Sequence, residues 1–215
     1  MSILIFANGD LEPSDWLTPY LDNATVIVAA NGGARHVLGQ SRTPDVLIGD
    51  LDSLAVGVKE RLMDKSTLIM AHESAKDETD LELALLYAAR NYEEEILVFG
   101  GLGGRLDQMF ANILLLMHPE LRGRNISFKT RYQRIWLIAG EATIKGESGD
   151  TVSLIPLGGD VRVAVTEGLR WALRDEVLAF GPARGVSNEM VDDTALVQIH
   201  SGHLLCVHTR QVWQR

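Results

Sequence analysis

Residues 95 to 112 read EILVFGGLGGRLDQMFAN, and the way this stretch divides decides the fold. Its first part, EILVF, is a short apolar run of the kind that forms a strand covered on both faces. Phe110, Ile113, Leu114 and Met117 then recur at helical spacing. Between the two stand Gly100, Gly101, Gly103 and Gly104, so glycines join a strand's carboxyl end to a helix's amino end. In an open α/β sheet that edge is where ligands sit. Glycines let an anion approach backbone N–H groups, and a helix amino terminus favours negative charge. Arg105 adds a permanent cation suited to bidentate phosphate contact. Asp107 is repelled by phosphate unless a metal ion or a substrate proton lies between them. A plainer reading of the same residues is turn punctuation followed by an acidic helix cap.

Working outward, SILIFA, ATVIVAA, DVLIGD, STLIMA and ISFKT are further strand-like runs, and Leu81, Ala84, Leu85 and Ala88 mark one face of a helix. This alternation predicts βαβ units and a Rossmann-like parallel sheet over residues 1–130. After about residue 131 the pattern changes to short strands with glycine turns: RIWLIAG, EATIKG, DTVSLIPLGG, VRVAVTEG, VLAFG, ALVQIH and HLLCVHT. Such spacing predicts an antiparallel β-sandwich or small barrel over residues 131–215. The expected fold class is therefore α/β in an amino-terminal domain, with an all-β sandwich as the carboxyl-terminal domain.

The chain of 215 residues is long enough for either one large core or two small ones. Its net charge of −9 argues against general nucleic-acid binding, which depends on neutralising phosphates with Lys and Arg. No apolar run approaches the roughly 20 residues of a membrane span. MSILIFANGD has no basic region and meets Asp10 too early for a secretory signal. A single cysteine, Cys206, excludes an intrachain disulfide and fits a reducing cytoplasm.

Three more stretches occupy the position just past a strand. ANGGARH places Asn31, Gly32 and Gly33 after VIVAA; DVLIGDLDS ends a strand with Asp50 and Asp52; KDETDLELAL opens a helix with Asp77 and Asp80, the pair resembling a capping box with an acidic end. A parallel sheet would bring these strand ends to one edge, crowding carboxylates around a glycine-rich anion site. Uncompensated, that crowding is unfavourable. Mg²⁺ carried in by a nucleotide resolves it, since the ion takes oxygen ligands and bridges carboxylates to phosphates. Acid clusters, glycines and Arg105 together predict metal-assisted transfer from a nucleoside triphosphate.

The order GDLDS, KDETDLELAL, GGLGGRLDQMFAN, with GVSNEM at 185–190, resembles the thiamine pyrophosphokinase family over nearly the whole chain. The resemblance implies pyrophosphoryl transfer from ATP to the hydroxyl of thiamine, with AMP released, by a homodimer whose thiamine sites lie between subunits. It implies Asp50, Asp52 and Asp77 as Mg²⁺ positions, supported by Asp80. Asn31, Gly32, Gly33, Gly101, Gly103, Gly104 and Arg105 would meet ATP and its phosphates. Arg105 would neutralise developing charge, Asp107 would orient or deprotonate the attacking hydroxyl, and Gln108 and Asn112 would assist orientation. Ser187 and Asn188 match the family's thiamine-contacting pair.

The match departs at one position: the family turn after the second strand commonly reads Ala-Asp-Gly-Gly, and here it is Ala30-Asn31-Gly32-Gly33. Asparagine keeps the size and turn geometry and loses the charge. Either the lost carboxylate is dispensable, or metal use, substrate or rate is altered. A non-catalytic nucleotide or thiamine sensor is the alternative in which Asn31 records lost catalysis, and a pyrophosphokinase for a related heterocycle stays open because the transfer machinery is better matched than substrate selection. Trp171 is expected in the core. HSGHLLCVH, with His200, His203, Cys206 and His208, is a rival zinc stretch read in preference as a hairpin with surface histidines.

Overall fold

The computed structural model describes residues 1–12, 15–50, 62, 67–72 and 77–211, so Asp52 lies outside the described residues. The chain divides into two compact units, Met1–Thr130 and Arg131–Arg215.

In the first unit the strands are β1 (Ser2–Phe6), β2 (Ala24–Ala30), β3 (Val46–Gly49), β4 (Leu68–Ala71), β5 (Glu95–Phe99) and β6 (Ile126–Lys129). They pair in parallel in the spatial order β6-β5-β1-β2-β3-β4. The apolar runs of β1 and β3 are buried at every residue, as strands covered on both faces must be, whereas the equally apolar β4 stands at the sheet edge with no residue fully buried and Leu68 53% exposed. Phe6 and Phe99 stack with ring centroids 5.2 Å apart, and Trp16 and Tyr20 close over Phe99. The helices are α1 (Thr18–Asp22), α2 (Ala34–Gly39), α3 (Asp80–Asn91) and α4 (Leu106–Leu114).

Helix α3 buries Leu81, Ala84, Leu85 and Ala88, the face its spacing predicts. Its cap differs from expectation. Thr79, not Asp77, is the N-cap, and its Oγ1 accepts the Glu82 N–H at 3.1 Å. That frees the Asp80 carboxylate from capping. Helix α4 also differs: Leu106, Phe110 and Leu114 are 78%, 60% and 41% exposed. Their i, i+4, i+8 spacing marks a helix correctly, but the stripe faces outward, because periodicity alone does not say what a face meets.

The second unit holds β7 (Gln133–Ile138), β8 (Glu141–Lys145), β9 (Thr151–Pro156), β10 (Val161–Glu167), β11 (Arg174–Leu178), β12 (Asn188–Glu189), β13 (Thr194–Ser201) and β14 (Leu204–Thr209). Antiparallel pairing gives β12-β9-β14-β7 and β11-β10-β13-β8. Alternate residues of both sheets point inward and interleave: Val152, Leu154 and Cys206 meet Val163, Val197 and Ile144 in one core. This is the sandwich that the short alternating strands predict.

Two expectations fail in this unit. Strands β13 and β14 lie in different sheets, so HSGHLLCVH is a crossing between sheets and not a hairpin. His200 is exposed as expected, whereas His208 is buried and bonded through Nε2 to Asp150 at 2.7 Å. Trp171 lies outside the strands and is 59% exposed, so it is not a core residue.

Candidate functional site

The first unit's strand order turns at β1, whose neighbours β2 and β5 continue the chain in opposite directions. At such a switch point the loops leaving adjacent strands diverge and leave a crevice. Here the loop after β1 and the loop after β5 are tied by Ala7 N–H to Phe99 O and Gly9 N–H to Gly100 O, both 2.8 Å. Above them opens a cleft of about 490 Å³.

Several sequence-assigned residues line this cleft: Asn31, Asp50, Asp80, Gly101, Arg105 and Gln108 among them, with Gly103, Gly104 and Asn112 alongside. They converge because β2 and β3 are neighbours in register, Ala30 beside Ile48, which sets the residues after each strand side by side. Asn31 follows β2, Asp50 follows β3, and Asp80 opens α3. The Asn31 amide donates to Asp50 Oδ1 at 2.7 Å and to Asp80 Oδ2 at 2.8 Å.

On the opposite wall, Gly103 and Gly104 adopt φ of +102° and +79°, a left-handed backbone open to glycine. Asn112, buried on α4, donates from Nδ2 to Gly101 O at 2.7 Å and so pins this loop to the helix behind it. The N-cap residue of α4, Arg105, makes no side-chain cap, and the helix's amino end faces the cleft lining with its positive pole. Arg105 precedes the helix and pairs with Asp107, Nε to Oδ1 at 3.1 Å and Nη2 to Oδ2 at 2.5 Å. That hydrogen bond holds the Asp107 carboxyl below the usual range and raises Arg105. Both side chains are largely exposed, so the pair is open to exchange with a ligand.

Other assigned residues stand apart. Gly32 and Gly33 do not line the cleft; Gly33 is buried, and a Cβ there would lie 1.9 Å from Phe6 O, so its role is close packing of the turn against β1. Asp77 is exposed and outside the lining. Ser187 and Asn188 belong to the second unit. Ser187 has φ of +60° and its N–H donates to Ser153 Oγ at 3.0 Å. Asn188 is buried, its Oδ1 accepting from Trp171 N–H and Glu189 N–H while its Nδ2 donates to Trp171 O at 2.7 Å. Its amide thus holds the exposed Trp171 turn in place.

Sequence reasoning missed Asn8, Gly9, Asp10 and Glu78, which also line the cleft. The signal for the first three was present: ANGD follows SILIF as ANGG follows VIVA, a strand end and then Asn-Gly. Beneath Gly9 lies His36, its Nε2 2.9 Å from Gly9 O; burial pushes its pKa below the ordinary value, against the pull of that carbonyl.

For a cation the cleft offers oxygen donors, the chemistry of Mg²⁺. Among the described residues no three His, Cys, Asp or Glu side chains group as a metal site. Two carboxylates on one wall, facing an anion-accepting wall, fit an ion whose remaining ligands come from phosphate and water.

Comparison with known proteins gives the family. The family model described as thiamin pyrophosphokinase, catalytic domain, matches residues 17–128, and that described as thiamin pyrophosphokinase, vitamin B1 binding domain, matches residues 141–204. The chain is 27% identical to a thiamine pyrophosphokinase of Bacillus subtilis, over 97% of this chain and 98% of that one. It is 30% identical to thiamine pyrophosphokinase 3 of Oryza sativa subsp. japonica, over 84% and 76%. The crystal structure of the thiamine pyrophosphokinase from Bacillus subtilis superimposes with a TM-score of 0.87 at 26% identity, covering 98% of this chain and all of that one. Two successive family matches, and relatives that align along most of both chains, make this protein a member of the thiamine pyrophosphokinase family.

Proposed function

We propose that the protein transfers the pyrophosphoryl group of ATP to the hydroxyl of thiamine, giving thiamine diphosphate and AMP. The observation that carries this reading is the cleft at the switch point, with the amino end of α4 and Arg105 on one wall and Asp50 and Asp80 on the other. The thiamine hydroxyl oxygen forms a bond to the β-phosphorus as the bond from that phosphorus to the α–β bridging oxygen breaks. AMP leaves with the bridging oxygen. Arg105 exchanges its Asp107 partner for the phosphates and neutralises charge gathering on them, and Asp107, released, takes the hydroxyl proton. Gly101, Gly103 and Gly104 bring backbone N–H groups against the phosphates, and Gln108 and Asn112 keep that loop and the ligand aligned.

Mg²⁺ belongs to the same reading: Asp50 and Asp80 would face it, with Asp52 and Asp77 as further anchors, and the bound ion would offset phosphate charge. In the second unit Ser187, Asn188 and the Trp171 turn are assigned to thiamine, residues 131–215 acting as the thiamine-binding domain and residues 1–130 as the catalytic one. The homodimer rests on the exposed stripe Leu106, Phe110 and Leu114, an apolar face suited to a second copy of the chain. Phe110→Lys should then lower the mass measured by light scattering; an unchanged dimer would move the interface elsewhere. A reducing cytoplasm suits the single thiol, Cys206, which is buried and whose pKa burial pushes up.

The direct test is purified protein with ATP, Mg²⁺ and thiamine, analysed by chromatography. AMP and thiamine diphosphate in equal amounts are expected. Folded protein that binds ATP yet forms neither would replace this reading with another acceptor or with a sensor.

A further inference from the structure

Asn31 does something its assignment to the phosphates does not describe. Its Nδ2 donates to two carboxylates at once, Asp50 Oδ1 at 2.7 Å and Asp80 Oδ2 at 2.8 Å. An ionised carboxylate is acceptor-only, so the amide must turn its nitrogen, not its oxygen, toward both. The three residues come from three elements: the turn after β2, the end of β3 and the start of α3. Asn31 itself sits at φ of +46°, a left-handed conformation that asparagine and aspartate accept more readily than most residues. Their approach also depends on Gly49, at φ of +148°, where a Cβ would lie 2.8 Å from Asn31 Cβ and 3.1 Å from Asp80 Cγ. Two carboxylates on one cleft wall repel unless a proton, a cation or a hydrogen-bond donor stands between them. Here a neutral donor occupies that place.

We infer that Asn31 is a positioning residue that holds Asp50 and Asp80 together without a metal ion, so that the free protein has little affinity for Mg²⁺ alone and takes the ion only together with a polyphosphate. The second half of this statement rests on the proposed function; the first rests on geometry alone. An aspartate at this position would remove both donated bonds and add a third negative charge. A cation between the carboxylates would then offset the added repulsion.

The test uses the full chain with no ATP and no thiamine present, so it is independent of turnover: loss of the transferase reading would leave it standing, and its failure would leave that reading standing. Thermal unfolding is measured in EDTA and in Mg²⁺, and Mn²⁺ binding by calorimetry. The wild type should unfold at the same temperature in both solutions. N31D should unfold about 3 °C or more lower in EDTA than in Mg²⁺, and should bind Mn²⁺ about tenfold or more tightly than the wild type. The double variant N31D/D80N exchanges donor and acceptor across one contact and should lose most of that cation dependence. Should N31D fail to fold, N31A serves, because the readout is the difference between the two solutions and backbone strain cancels from it. Unfolding of N31D or N31A that ignores the cation, or wild-type protein that binds Mn²⁺ as tightly as N31D, would overturn the inference.

Discussion

Asp150 in the second unit and Asp80 in the first are both carboxylates held by donors from distant parts of the chain, and they are held to opposite ends. Asp150 is 3% exposed. Its Oδ1 accepts the Gln211 N–H at 2.8 Å, and its Oδ2 accepts the Glu147 N–H at 3.0 Å and meets His208 Nε2 at 2.7 Å. Burial pushes its pKa up, yet the donors from Gln211, His208 and Glu147 outweigh burial and hold the carboxyl below its usual range. Such a group is structural: it ties a turn, β14 and the segment after it. Asp50 and Asp80 instead line an open cleft, where the neutral amide of Asn31 donates to both. A carboxylate enclosed by donors stabilises the fold, and one presented to a cleft is available for chemistry.

The sharpest way to break this contrast is on turnover. Arg105→Ala should lower turnover about 10²–10³-fold, the effect of removing one preorganised donor at developing charge. Its unfolding temperature should hardly move, because its bond to Asp107 is exposed. Wild-type rates in this variant would remove Arg105 from the mechanism. Asp150→Ala should do the reverse. Leaving His208 and two N–H groups buried without their acceptor should cost about 3 kcal/mol, seen as an unfolding midpoint lower by about 6–12 °C. Turnover at a temperature where the variant stays folded should be that of the wild type; a loss there would mean the two regions are coupled.

Acid separates the two regions further. His36 has a folded pKa below its unfolded value, so the unfolded chain binds the proton first and stability falls as pH drops below about 6.5. Urea unfolding at pH 7 and pH 5 should show a difference of less than about 1 kcal/mol that His36→Gln removes. Asp150 acts in the same direction at lower pH: its folded pKa is also depressed, so its contribution is full above the ordinary carboxylate range and is lost as pH falls from that range through the folded value. The smallest effect should come from Glu120→Ala, which deletes a forked contact with Arg90 at 2.8–2.9 Å. Both partners are about half exposed, so the loss should stay below about 1 kcal/mol in denaturant unfolding. A larger loss would show that geometry, more than burial, sets the worth of a carboxylate contact here.

The strands were legible because burial on both faces writes itself as an unbroken apolar run, as in SILIF and EILVF, and burial on one face as alternation, as in TVSLIP. β12 escaped notice since two residues, Asn188 and Glu189, carry no period. That the glycine loop and Arg105 stand at the carboxyl edge of the sheet, where the cleft opens, was legible from local order alone. The cap of α3 was not: DETD offers several oxygens, and only the backbone's path selects Thr79 over Asp77. His208 read as a surface residue because a histidine's burial depends on whether an acceptor such as Asp150, 58 positions away, comes to meet it.

By itself, then, the sequence determined the two kinds of sheet, the sheet edge at which the cleft opens and the likeness to one family, all properties carried by local periodicity or by short contiguous motifs. Tertiary structure decided which polar groups meet. Asn31 lies 19 positions from Asp50 and 49 from Asp80, and they touch because strand order and register set β2 beside β3 and start α3 against their ends. No local pattern encodes such a contact, since its distance is fixed by the packing of whole elements and not by neighbours along the chain.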